Sequence, residues 1–336
     1  MKHLLDRFSR VPLISVAPTP LEPMPRLSSL LGGAQILIKR DDLTGLAFGG
    51  NKIRKLEFEL GHQDLEAYDT LVTSGASQSN HARATAAAAA RLGKRCELVL
   101  ERRVRDSSRA YRLSGNILID HLYGATIHHV DDGDVEDSIE ALVASLTNKG
   151  RRPLVIPPGA STAHGALGYV HCALEMAEQA RAMAVSIDHV VLSIGSGGSQ
   201  AGLIAGFELL GLPVTVWGIC HGPPGDKRQL VFDILQELAA TLELPTKTRA
   251  CEIITESAQI GAGYGHLTPA AQEAMTLTAS MDGVLLDPVY TAKSMAGLIQ
   301  LVRSGLIAPH ETVVFLHSGG TPAIFAYADT LLPLHR

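Results

Sequence analysis

Short apolar runs alternate along this chain with longer stretches whose apolar positions recur at helical spacing. Residues 36–39, 70–73, 96–100, 126–130, 154–156, 190–193, 214–219, 284–286 and 313–316 have the length and aliphatic content of strands. Between them, residues 52–61, 79–92, 115–122, 135–147, 166–182, 229–242, 292–304 and 322–328 read as helices. The alanine run 86–90 is good helix composition rather than low complexity. The proline-rich stretch 18–24 reads as an extended surface segment. Strands alternating with helices of about 10–15 residues imply α/β units, with largely parallel sheets covered on both faces. The strand count and two separate glycine-rich turns favour two open twisted sheets over one. Loops beyond the carboxyl ends of those strands are then where a ligand belongs.

Composition narrows the class. The chain has 336 residues, 46% hydrophobic and 19% charged, as in ordinary globular proteins. A formal charge of −5 gives no footprint for nucleic acid. The cluster Arg102-Arg103-Val104-Arg105 reads as a solvated loop or a local anion contact. Cys96, Cys172, Cys220 and Cys251 are widely spaced, as reduced thiols of a cytoplasmic protein would be. The first residues lack the apolar core of a signal peptide, and no apolar run approaches the ~18 residues of a membrane span. Neither a membrane nor a nucleic acid is an expected partner. His81, His121, His128, His129, His164 and His171 lack zinc spacing, so they read as surface or incidental residues and no metal centre is expected.

The strongest candidate chemistry lies in Phe48-Gly49-Gly50-Asn51-Lys52. Two glycines allow positive φ or close approach to a ligand, and Asn51 is a plausible N-cap. Lys52 then falls in a first helical turn, where the helix dipole disfavours an ammonium. An amine placed there is either solvated or held neutral for chemistry such as a Schiff base with an aldehyde. Lys55, three residues on, reads as solvated.

A second stretch, Gly195-Ser196-Gly197-Gly198-Ser199, follows a strand and opens a helix. Its backbone N–H groups and two hydroxyls suit a single phosphate monoester, or the turn is merely structural. A dinucleotide fingerprint fits badly, because the third glycine would fall at Gln200, and no Walker lysine follows. Ser77-Gln78-Ser79-Asn80-His81 sits at another strand–helix junction. There Ser79 is either a plain N-cap or the hydroxyl of a carboxylate-binding turn. Tyr264 and Tyr290, two of seven tyrosines, lie in turn-rich stretches, and Ser318 precedes Gly319-Gly320 at a strand end.

Taken together, Lys39-Arg40-Asp41-Asp42, Gly49-Gly50-Asn51-Lys52, Gln78-Ser79-Asn80 and Asp287-Pro288-Val289-Tyr290 resemble one enzyme family. It comprises the pyridoxal-phosphate enzymes of the D-cysteine desulfhydrase and 1-aminocyclopropane-1-carboxylate deaminase group, of the tryptophan synthase β fold type (fold type II). The resemblance runs from Thr19 to Ala323. It implies that Lys52 carries pyridoxal 5'-phosphate as a Schiff base and that Gly195, Ser196, Gly197, Gly198 and Ser199 hold the phosphate. Asn80 is implied beside the ring and Ser318 at its nitrogen. Ser79 is implied at the substrate carboxylate, and Lys52 or Ser79 takes the α-proton. His81, Tyr264, Tyr290 and Thr291 would complete the substrate pocket. The resemblance also implies a homodimer, with a small domain of residues 51–164 on a large one made of 1–50 and 165–336.

Two positions bear on the branch. The deaminases carry glutamate where this chain has Thr291 and leucine where it has Ser318, whereas the desulfhydrases carry small hydroxyl residues at both. Ile53 replaces the commoner threonine after the lysine. The expected activity is therefore α,β-elimination from D-cysteine or a related β-substituted alanine, giving pyruvate, ammonia and the leaving group. L-cysteate sulfo-lyase and cyclopropane deaminase are the neighbouring alternatives, and a non-catalytic binding protein of the same fold is the alternative of another class.

Overall fold

The computed structural model describes residues 2–104, 107–131, 133–222 and 225–332. The described strands, in chain order, are β1 (Leu21–Pro23), β2 (Gln35–Lys39), β3 (Thr70–Ala76), β4 (Arg95–Glu101), β5 (Thr126–Val130), β6 (Pro153–Ile156), β7 (His189–Ile194), β8 (Thr215–Cys220), β9 (Ile254–Glu256) and β10 (Thr312–Leu316). They form two sheets, as the α/β alternation predicts. One is six-stranded in the order β1-β2-β10-β7-β8-β9, the other four-stranded in the order β5-β4-β3-β6. Every pairing is parallel except β1 with β2. Sheets covered on both faces need strands apolar on both faces. β10 meets that demand with all five residues buried.

The departures from expectation have local causes. Residues 284–286 form no strand, because their polar groups are used elsewhere. Val284 N–H donates to Thr278 O, Leu285 O accepts from the His317 ring, and the next N–H, of Asp287, donates to Thr291 Oγ1. Stretch 18–24 is extended but only partly surface: it contains the short strand β1, with Pro18 and Pro23 exposed and Thr19 and Met24 fully buried. Residues 322–328 divide into two single turns, Ala323–Ala326 and Ala328–Leu331.

A buried charge cluster ties the segment after β2 to the helices. Arg54, in the Asn51–Gly61 helix, donates from Nε to both Asp41 oxygens at 2.9 Å and from its terminal nitrogens to Glu175 at 2.8 and 3.1 Å. Lys39 adds a 2.9 Å bond to Glu175, and the Tyr169 hydroxyl donates to Asp41 at 2.7 Å. Lys39 and Asp41 of the sequence signature thus act in structure, holding the Asn51–Gly61 helix against the Ala163–Ala182 helix.

Candidate active site

The loops that gather the candidate residues all follow carboxyl ends of parallel strands. Ser79 and Asn80 follow β3, Arg103 follows β4, and Gly195 and Ser196 follow β7. His221 follows β8 and Ser318 follows β10. A cavity of about 300 Å³ lies between these ends, and Lys52, Asn51, His81, Tyr264, Tyr290 and Lys227 also line it. No carboxylate lines it among the described residues.

Lys52 lies in the first turn of the Asn51–Gly61 helix, whose N-cap is Gly50 rather than the expected Asn51. Asn51 instead reaches across to donate from Nδ2 to Ser199 Oγ at 3.3 Å. Burial lowers the Lys52 ammonium to about 8, so much more amine is present at neutral pH than on a solvated lysine. Lys55 is not solvated, as its sequence suggested. It is fully buried and donates from Nζ to Ser161 Oγ, which lies 2.6 Å from Ser196 Oγ. Burial, and next the Lys52 charge, push its ammonium well down against the pull of Glu59. The spacing of three from Lys52, one helical face, was the signal that could have revealed it.

The glycine-rich turn divides its work. Gly195 and Ser196 face the cavity. A Cβ on Gly195 would lie 2.7 Å from His221 Nε2, so only glycine admits the imidazole there. Gly197, Gly198 and Ser199 sit behind. A side chain on Gly197 would meet Ile234 and Val231, and one on Gly198 would meet Lys55 Nζ at 2.9 Å. These three start the Gly198–Leu210 helix behind the cavity wall, with Lys55 beside Gly198, and a helix start leaves backbone N–H groups free for an anion.

At the β3 junction the N-cap reading of Ser79 holds. Its Oγ accepts from Ala82 N–H at 3.1 Å as an N-cap, which leaves its own O–H to donate. Asn80 is held from behind. Its Oδ1 accepts from Arg83 at 2.9 Å and from Asn116 Nδ2 at 3.0 Å, so its Nδ2 is turned away from them as a donor. Arg83, buried and lowered to about 10 by that burial, is still a cation, and its other terminal nitrogen donates to Gly49 O at 3.1 Å. Behind it, burial raises the Asp120 carboxyl to about 8.

His81 is buried rather than superficial. The Thr73 hydroxyl already donates to Ile156 O, so it accepts from His81 Nε2–H at 2.9 Å, and Nδ1 carries the lone pair. Tyr264 and Tyr290 hydrogen-bond through their hydroxyls, and burial raises both phenols. His221, just after β8, stands edge-on to Tyr290 with ring centroids 4.6 Å apart. Thr291, expected in the substrate pocket, is fully buried with its hydroxyl at 2.7 Å from Asp287 Oδ1 and does not line the cavity. Asp287 also accepts from the backbones of Val289, Tyr290 and Thr291, so it is a cap. Arg103 stands at the cavity mouth with its guanidinium 5.3 Å from the Tyr264 ring, which favours the anion-contact reading of the basic cluster. Arg105 lies outside the described residues.

A depressed amine, a first-turn anion cradle with two serine hydroxyls, and a buried lysine beneath it fit an aldehyde carrying one phosphate monoester. The comparisons agree. The profile of the family described as "Pyridoxal-phosphate dependent enzyme" matches residues 13–319. D-cysteine desulfhydrases of Salmonella choleraesuis (strain SC-B67) and Salmonella newport (strain SL254) are each 43% identical over 327 residues, covering 97% of this chain and 98% of theirs. A solved "ACC deaminase homologue" superposes with a TM-score of 0.89 at 36% identity, covering 99% of this chain and 98% of that one. Escherichia coli diaminopropionate ammonia lyase shares the fold, with a TM-score of 0.66 at 17% identity over 95% of this chain and 87% of its own. The chain belongs to the pyridoxal-phosphate dependent enzymes, within the group that contains the D-cysteine desulfhydrases.

Proposed function

We propose that this enzyme is a lyase that removes the β-substituent of D-cysteine, yielding pyruvate, ammonium and hydrogen sulfide. Near-full-length likeness to the D-cysteine desulfhydrases supports the substrate. The observation that carries the chemistry is the Lys52 amine, lowered to about 8 in a cavity without a carboxylate. Bound here, pyridoxal phosphate supplies an aldehyde for that amine and a ring that draws electrons from the substrate Cα. Gly195 to Ser199 and Lys55 would hold its phosphate, and Asn80 and Ser318 would hold its ring. Ser79 O–H and the first-turn N–H groups of the Asn80–Arg91 helix hold the substrate carboxylate. Lys52, or Ser79, takes the α-proton. The Cβ–S bond then breaks with its electron pair leaving on sulfur, and the released 2-aminoacrylate hydrolyses. Ser318, a hydroxyl where a carboxylate would keep the ring protonated, would favour prompt loss of the leaving group. Tyr264 and Tyr290 wall the pocket. Thr291 acts at one remove, by fixing the Asp287 turn beneath Tyr290.

We read residues 51–164 as a small domain, the assembly as a homodimer and the compartment as the cytoplasm, following the family resemblance. Exposed Phe325 and Leu122 are compatible with a partner surface. No helix among the described residues is long and apolar enough to cross a membrane. The test is a substrate panel of both cysteine enantiomers, L-cysteate and 1-aminocyclopropane-1-carboxylate, reading pyruvate and 2-oxobutanoate. Pyruvate should form fastest from D-cysteine. Its absence, with 2-oxobutanoate formed from the cyclopropane, would replace this reading by the deaminase.

A further inference from the structure

The phosphate and the substrate carboxylate are served by the Gly195–Ser199 turn with Lys55, and by the start of the Asn80–Arg91 helix. Two cations of the cavity have no part in either task. Arg103, from the loop after β4, and Lys227, at the start of the Arg228–Leu242 helix, stand at the mouth. Arg103 spends only Nε on Glu101, so among the described residues its two terminal nitrogens make no hydrogen bond. Tyr264 lies beneath the guanidinium and limits where its flat fork can go. Between these cations His221, 8% exposed, presents a side chain whose Nδ1 has no partner. Lys52, Lys293, Arg103 and Lys227 all bear on its ring and, after burial, hold it neutral, with a value near 3. A wall with this much positive charge and no lining carboxylate is built for an anion beyond the two already assigned.

We propose that Arg103, with Lys227, forms a subsite that selects substrates whose β-substituent carries its own negative charge. The class is alanines bearing a thiolate, a sulfonate, or a sulfate or phosphate ester at Cβ. This rests on the reading of the cavity as the lyase site. Each such substituent leaves with the Cβ bonding pair: a sulfonate as sulfite, a sulfate ester as sulfate, and a thiolate or phosphate ester as hydrosulfide or hydrogen phosphate after taking up the proton that was removed from Cα. The charge recognised on binding is therefore retained on the departing group.

D-Aspartate and D-asparagine test this without turnover, since they are nearly isosteric, differ in β-charge, and neither side chain leaves by this elimination. Holoenzyme should bind D-aspartate at least tenfold more tightly by calorimetry. Arg103→Gln should bring that ratio to about one, and Arg103→Lys, which keeps the charge, should restore most of it. A ratio below threefold in the unaltered enzyme overturns the proposal. So does a ratio that survives Arg103→Gln, or an equal loss for both ligands, which would place Arg103 at the α-carboxylate. Pyruvate formation from neutral β-chloro-D-alanine by the unaltered enzyme tests the lyase reading separately. If it fails while the binding ratio stands, the subsite is retained and the reaction assignment falls.

Discussion

The Asn51–Gly61 helix carries two kinds of buried charge on opposite sides, and they are built in opposite ways. Around Arg54 every charge has its counterpart: two carboxylates face a guanidinium and a lysine at 2.8 to 3.1 Å. Around Lys52 the cavity offers amines, hydroxyls and backbone N–H groups but no lining carboxylate, only Glu59 pulls on Lys55 behind it, and burial lowers both ammonium groups. Burying a charge is costly unless it is matched. A cluster that matches itself is scaffold. A cluster left under-matched is borne by lowering its ammonium groups, and the missing charge describes the ligand.

That contrast breaks most sharply at Lys52. Lys52→Ala should lose turnover by at least about a thousandfold and lose the visible absorbance of bound cofactor, while the fold persists. Retention of full activity would remove Lys52 from the chemistry. On the matched side, Glu175→Gln leaves Arg54 and Lys39 short of a carboxylate and should lower unfolding stability by about 3–5 kcal/mol. A change below 1 kcal/mol in denaturant titration would show that the cluster contributes little to the fold. Lys55→Met should move two readouts in opposite directions. The apoprotein should melt higher because a poorly matched amine is gone, and cofactor affinity should fall by about tenfold, roughly 1.4 kcal/mol. An unchanged affinity would reduce Lys55 to a partner of Ser161.

The smallest effect is a pH slope. In the unfolded chain Lys52 keeps its proton up to about 10.5, whereas in the folded apoprotein it releases it near 8. Between those values the unfolded state binds more protons, so apoprotein stability should rise with pH across that window. Below 8 the penalty is felt in full, at most about 3 kcal/mol for a group bordering water. Lys52→Ala should flatten that part of the profile, and a slope identical in both proteins would assign it to other groups.

Much of this was legible before any coordinates. Apolar runs flanked by turn residues located eight of the ten described strands, because central parallel strands are apolar on both faces. The three-residue edge strands β1 and β9 were missed, being short and partly polar, and 284–286 was misread because composition does not say which partner takes a backbone group. At the site, Lys52 and the Gly195 turn were visible since their chemistry is local in sequence. Lys55, Arg83 and His221 were not. Their roles depend on what burial brings beside them, and a lysine in a helix reads as solvated until its face is known. Applying the strand-end rule to β8 as strictly as to β7 would have flagged His221.

Arg83 has a consequence for motion. One planar guanidinium holds both the Asn80 amide and the peptide oxygen of Gly49, three residues before Lys52. Asn80 follows a strand of the smaller sheet, and Gly49 lies on the segment leaving the larger one. The spacing between the Asn80 amide and the segment that carries Lys52 is thus tied through one planar fork. Movement of one sheet against the other should therefore strain these Arg83 bonds before it separates the Asn80 amide from Gly49.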